Sequence, residues 1–295
     1  MRIVSLLPSA TEILFALGAG DDVVGVTFEC DYPAQARERR IVSTSSLREG
    51  MSAAEIDAAV SAAMAAGEDL YRLDADALAD LDADLVVTQD LCAVCAVDVS
   101  VVDDALAHLG CRAEVLTLDP QDLDGVLESV LTLGKAVGHE PEAGGLVAGL
   151  RTRLDTVRRA VDGRARVPVM VLEWTDPPFT PGHWVPDMVA IAGGTSVLGS
   201  PGGKSVGTTW SAVAAAAPAV IVAAPCGFGL DESLRLAGEA WAGSQLPDVP
   251  VWAVDANASF ARPGPRLVDG VEALAALLHP EAGVRLDPTL ARRLR

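Results

Sequence analysis

The stretch "DLDGVLESVLTLGKAVGHEPEAGGLVAGLRTRLDTVRRAVDG" (122–163) decides the architecture, because it carries no strand signal along its whole length. Apolar residues recur in it at helical spacing: Leu123, Val126, Leu127, Val130, Leu131, Leu133 and Val137, then Leu146, Val147, Leu150, Leu154, Val157 and Val161. Pro141 cannot continue a helix cheaply, so the "GHEP" segment is expected to bend or interrupt it. Before this spacer, short β-branched runs alternate with alanine-rich stretches: "RIVSLL" (2–7), "DVVGVT" (22–27), "RIVST" (40–44), "ADLVVTQ" (83–89) and "AEVLTL" (113–118). The rhythm returns after it in "VPVMVLEW" (167–174), "AVIVAAP" (219–225) and "VPVWAVD" (249–255). Continuous apolar runs are the mark of parallel strands buried on both faces. The helix "SATEILFALGAG" (9–20), capped at Ser9 and stopped by glycine, follows the first of them. The expected fold is therefore α/β, with two lobes, 1–120 and 164–295, joined by a helical segment over 121–163. A single helical connection predicts a stiff strut between them.

Composition narrows the function. Half of the 295 residues are apolar, as in a globular chain. A formal net charge of −19 and a pI near 4.4 argue against nucleic acid or an anionic membrane surface as partner. The opening "MRIVSLLPSATEIL" does not read as a secretory signal, since Ser5, Pro8, Ser9, Thr11 and Glu12 break any apolar core. The longest apolar run, "AVAAAAPAVIVAAPC" (212–226), is too short to span a bilayer. Five cysteines make an odd number for a disulfide scaffold in a chain large enough to need none. These features lead to the expectation of a cytoplasmic protein with reduced thiols and no membrane insertion.

Three segments, "SLLPSATEILFALG" (5–18), "EWTDPPFTPGHWVPDMVAIAGG" (173–194) and "RPGPRLVDGVEALAALLHP" (262–280), carry a resemblance to a known family. With the lobe–helix–lobe order, the chain resembles the periplasmic-binding-protein family that captures vitamin B12 and iron–siderophore complexes. The resemblance implies the class III substrate-binding-protein fold and a corrinoid (cobalamin-like) or related metal chelate held in the inter-lobe cleft. It runs from Arg2 to about Pro280 and is greatest to the cobalamin-binding branch. Transport members dock on an ABC permease through an acidic residue on each lobe. Here "TTWSAVAAAAP" offers Trp210, Ser211 and Ala212 at that place in the second lobe, and the first lobe offers Asp74 or Asp76. The missing carboxylate counts against permease docking.

In open parallel sheets, ligands bind beyond the carboxyl ends of the strands. That rule places Cys30, Cys92, Cys95 and Cys226 at strand exits, and Cys111 at the opposite edge. The Cys92-x-x-Cys95 pair admits three readings: a redox dithiol, half of a zinc or iron site completed by Cys30, Cys226, Glu29, Asp31 or His183, or small apolar side chains lining a pocket. A metal- or thiol-dependent enzyme on the same scaffold is thus the alternative to a small-molecule binding protein. For the ligand itself, "EWTDPPFTPGHW" offers Trp174, Phe179 and Trp184 as flat walls, with Glu173 and His183 as polar partners. Phe28, Glu29, Tyr32, Gln89 and Phe228 stand on similar strand-exit loops. The helix start at Ser9 and Thr11 is expected to present backbone N–H groups. "GSPGGKS" (199–205) lacks the spacing of a phosphate loop, and no Gly-x-Ser-x-Gly occurs.

Overall fold

A computed structural model describes residues 1–48, 50–66, 68, 70–89, 113–242 and 248–295. Cys92, Cys95 and Cys111, and every expectation placed on them, lie outside the described residues. Contacts divide the chain into two compact units, one of Met1–Pro120 with Leu127–Val147, the other of Gln121–Val126 with Ala148–Arg295.

The first unit contains β1 (Ile3–Ser5), α1 (Pro8–Ala16), β2 (Val23–Val26), β3 (Arg40–Ile41), β4 (Ser43–Ser45), α2 (Ala53–Ala66), β5 (Tyr71–Leu73), α3 (Ala75–Ala79), β6 (Leu85–Thr88) and β7 (Glu114–Thr117). Its main sheet has the order β3-β2-β1-β6-β7 and every pairing in it is parallel. All residues of β1 and β6 are buried, which is why those segments read as unbroken apolar runs. β4 and β5 form a separate antiparallel pair, with Ser45 opposite Tyr71. Helix α1 starts one residue before the expected cap: Leu7 is the N-cap, makes no side-chain cap bond, and Pro8 opens the first turn. Proline suits that place because its missing N–H would have no helical partner there.

The expected backbone is two helices, α4 (Leu123–Ala136) and α5 (Glu140–Val161). Each carries residues of both units, so by unit membership the chain passes three times between them, where a single passage was expected. The interruption falls at Val137–His139, and Pro141 lies in the first turn of α5, where it is tolerated. Gly134 is what lets α4 and α5 approach closely: a Cβ there would lie 2.4 Å from the Ala143 Cβ.

The second unit contains β8 (Val167–Leu172), β9 (Trp174–Thr175), β10 (Pro178–Phe179), α6 (Val185–Ile191), β11 (Gly194–Ser196), α7 (Trp210–Ala215), β12 (Val220–Ala223), α8 (Leu230–Ala242), β13 (Val251–Val254), α9 (Ala256–Ser259), α10 (Leu267–Leu278) and β14 (Ala291–Arg293). Its sheet runs β11-β8-β12-β13-β14, parallel except for β14. Both sheets are thus the α/β layers that the alternation of runs implied. Among the described residues no helix is long and apolar enough to cross a membrane.

Candidate functional site

In each unit the sheet order reverses about its first strand. Successive strands go to one side of β1 or β8 and then to the other, which opens a crevice at the carboxyl ends. In the first unit this switch point lies between β1 and β6, in the second between β8 and β12. The residues leaving those strands are the candidate site, and each unit is built on its own terms.

In the first unit, Gln89 leaves β6 almost fully buried, at 3% exposure, and its Oε1 has no hydrogen-bond partner. A buried acceptor left unpaired costs on the order of 1–3 kcal/mol, so this oxygen is suited to a ligand donor. On the other side of β1 the exit of β2 is tightly knit. Thr11 Oγ1 donates to Ser5 Oγ at 2.8 Å and lies 3.1 Å from the Cys30 sulfur, and Thr27 Oγ1 lies 3.3 Å from the same sulfur. Ser9, Thr11 and Cys30 are buried, and the Thr11 N–H is taken by the Leu7 carbonyl. Those three side chains therefore face the interior, where α1 is packed. The Glu29 backbone N–H donates to Thr27 Oγ1, and the Glu29 carboxylate accepts from the Tyr71 hydroxyl at 3.0 Å. Phe28 packs on Tyr71 with ring centroids 5.8 Å apart, yet stays 38% exposed, and Tyr32 is 47% exposed. The unit thus offers aromatic surface beside a held carboxylate.

In the second unit, β9 and β10 form a two-stranded turn in which Phe179 pairs with Trp174. The Trp174 ring meets Phe228 at 5.8 Å across the switch point. Two backbone bonds fix this pair: Cys226 N–H donates to the Glu173 carbonyl, and Asn257 N–H to the Phe228 carbonyl. The Glu173 carboxylate holds the Gly182 N–H at 2.8 Å and so closes the loop on itself. Residues 199–207 run back along that loop. Gly203 O accepts from His183 N, Gly202 N donates to His183 O, and Phe179 bridges to Gly207. That packing is the role of "GSPGGKS", and it leaves Lys204 exposed.

His183 sits at φ 48°, in the left-handed region, with its ring 5.5 Å from that of Trp184 and its Nε2 buried without a hydrogen-bond partner. Burial, helped by the Lys204 charge, holds its pKa below the usual histidine value. Trp184 was expected as a wall, but it is 6% exposed and its indole N–H is committed to the Phe260 carbonyl at 2.7 Å. The next residue begins α6, so Trp184 turns into the core.

A cavity of about 540 Å³ lies elsewhere, where α5 and α6 end and β8 begins. Its arginines are already answered: Arg158 by Asp155 at 2.7 Å, Arg164 by Glu281 at 2.7 Å, and Arg166 by the carbonyls of Ala190 and Gly194. It is a capped helix-end region on the edge away from the switch point.

The structure therefore brings Phe28 and Glu29 together in one unit, and Glu173, Trp174, Phe179 and Phe228 in the other. Tyr71 and Asn257 were not foreseen. Tyr71 lies in a three-residue strand far from Glu29 in sequence, and no local pattern marks it. Cys30 and Cys226 take part in no disulfide, and among the described residues no three His, Cys, Asp or Glu side chains are grouped to hold a metal ion.

Comparison with known proteins fits this architecture. A family model described as "Periplasmic binding protein" matches residues 3–243. The uncharacterized ABC transporter substrate-binding lipoprotein YvrC of Bacillus subtilis (strain 168) is 26% identical over 291 residues, which cover 95% of this chain and 80% of that one. Two solved structures share the fold. A periplasmic heme binding protein from Pseudomonas aeruginosa has a TM-score of 0.71 at 22% identity, covering 98% of this chain and 96% of that one. The periplasmic vitamin B12 binding protein BtuF of Vibrio cholerae has a TM-score of 0.64 at 21% identity, covering 96% and 98%. These findings overturn the expected cytoplasmic location, since the matched family is periplasmic and the curated relative is a lipoprotein. The physical reason for the error is plain: residues 3–5 are the central strand β1, so their polar neighbours report the needs of a fold and carry no address.

Proposed function

Because the chain belongs to the periplasmic binding protein family, we propose that the ligand it binds is a corrinoid of the cobalamin type. The observation that carries this reading is the Trp174–Phe228 ring pair at the switch point of the second unit. Exposed Phe28 and Tyr32 give the first unit a comparable surface. Flat apolar rings suit the face of a macrocycle, and a few placed polar groups fix its rim. The unpaired Gln89 oxygen and the held Glu29 carboxylate are acceptors, which suit the amide N–H groups around a corrin better than the carboxylates around a haem. Related proteins named for binding vitamin B12 and haem support a ligand of this shape.

The test is titration of the purified protein with cyanocobalamin and with haem, followed by absorbance and tryptophan quenching. Saturable binding of cyanocobalamin, weakened by Trp174→Ala and by Phe228→Ala, is the expected result. No binding of either macrocycle overturns the reading.

The thiol alternative has less behind it. The Cys30 sulfur is buried against two threonine hydroxyls, which fits a packing role. Delivery to an ABC permease is supported by the name of the curated relative. Against it, the first turn of α7 carries no acidic residue, whereas Asp76 stands in the first turn of α3. Co-purification with a permease, lost on Asp76→Ala, is the measurement that decides.

A further inference from the structure

Resting on the corrinoid reading above, we infer that Tyr71 is a positioning residue that sets macrocycle selectivity through Glu29. Tyr71 is 7% exposed and is fixed by its own backbone. It pairs with Ser45 across β4 and β5, and the preceding Leu70 carbonyl accepts from both the N–H and the hydroxyl of Ser46. From this anchored place its side chain does two things at the exit of β2. Its hydroxyl donates to Glu29 Oε2 at 3.0 Å, and its ring supports the exposed Phe28 ring at 5.8 Å, tilted by 33°. One buried side chain thus touches both a flat apolar wall and a carboxylate acceptor.

Selectivity follows from the chemistry of the group that is held. An ionised carboxylate accepts hydrogen bonds and donates none. Fixed beside an aromatic wall, it rewards a macrocycle fringed with amide N–H groups and repels one fringed with carboxylates. A glutamate on an exposed loop would satisfy such contacts only after losing side-chain freedom. The Tyr71 hydrogen bond removes part of that freedom before the ligand arrives.

The experiment compares dissociation constants for cyanocobalamin and for haem in the wild-type chain and in Tyr71→Phe, Glu29→Ala, Glu29→Gln and the Tyr71→Phe/Glu29→Ala double variant. Tyr71→Phe keeps the ring under Phe28 and removes only the donor, so cyanocobalamin binding is expected to weaken about tenfold, the scale of one charge-assisted hydrogen bond, with haem binding unchanged. In the Glu29→Ala background the same substitution is expected to cost nothing more, since its effect passes through Glu29. Glu29→Gln, which leaves Tyr71 untouched, is expected to tighten haem binding. Equal losses for both macrocycles, or an undiminished loss in the Glu29→Ala background, would show a merely structural tyrosine and overturn the inference alone. Wild-type protein that binds neither macrocycle overturns both this inference and the reading it rests on.

Discussion

Gly182 meets the backbone of residues 203–205 so closely that a Cβ there would lie 2.2 Å from the Ser205 nitrogen. Backbone cannot swing aside as a side-chain tip can, so Gly182→Ala should lower stability by about 1–3 kcal/mol, as overpacking does. Denaturant unfolding checks this, with Gly144→Ala as the control, because nothing lies within 4 Å of a Cβ at that position. The adjacent His183 gives a second expectation. Its pKa lies below the ordinary 6.5, chiefly through burial. Above that value the imidazole is neutral in folded and unfolded chains alike, and stability owes nothing to its titration. As pH falls below it, the unfolded chain takes up a proton that the folded chain refuses, so stability drops until the folded pKa is passed. His183→Asn, which tolerates a left-handed backbone, should flatten the unfolding free energy between pH 6.5 and the folded pKa; an unchanged slope would refute it. At this scale sequence was half informative. The strand-exit rule placed Trp174, Phe228 and Glu29 just beyond the ends of their strands, where the structure has them, because that position depends on topology alone. It missed the inward turn of Trp184 and the reach of Tyr71, because both depend on packing between segments far apart in the chain.

Between elements, the clearest single tie is Arg153 on α5. It donates to both oxygens of Glu272 at 2.7 and 2.8 Å and to Asp269 at 2.5 Å, both on α10. The Glu272 hydrogen bonds, with Asp269 beside them, hold the guanidinium proton more tightly than usual. The three side chains remain about a third exposed, so screening by water limits their worth. Arg153→Met should cost about 1 kcal/mol at low salt, and less at high salt, in chemical unfolding. The long strands and α4 and α5 were legible because continuous apolar runs and helical spacing extend over several residues. β5, β10, β11 and β14 were not, since these two- or three-residue segments lie outside the longer apolar runs that marked β1 and β3. β14 is also antiparallel, which the surrounding rhythm of parallel strands gave no reason to expect.

For the molecule as a whole, binding and stability are linked. If cyanocobalamin binds the folded chain alone, free ligand at about 100 times Kd should add about 2.7 kcal/mol to the unfolding free energy, read as a rise in melting temperature. A ligand that leaves the melting temperature unmoved at saturation would contradict the proposed site. Two α/β units were legible from the repeat of one rhythm on both sides of the spacer. The division of the spacer itself was not, because membership of a unit is decided by tertiary contact. That division bears on how the chain comes off the ribosome. The first unit draws on residues 127–147, and the second has already begun at 121–126. A nascent or proteolytic fragment ending at Pro120 therefore lacks the helical cover supplied by Val130 and Leu133, both fully buried in the intact chain. It should be prone to aggregate, whereas a fragment ending at Val147 contains every residue of the first unit. The two units are woven in synthesis order, and no single cut yields both intact.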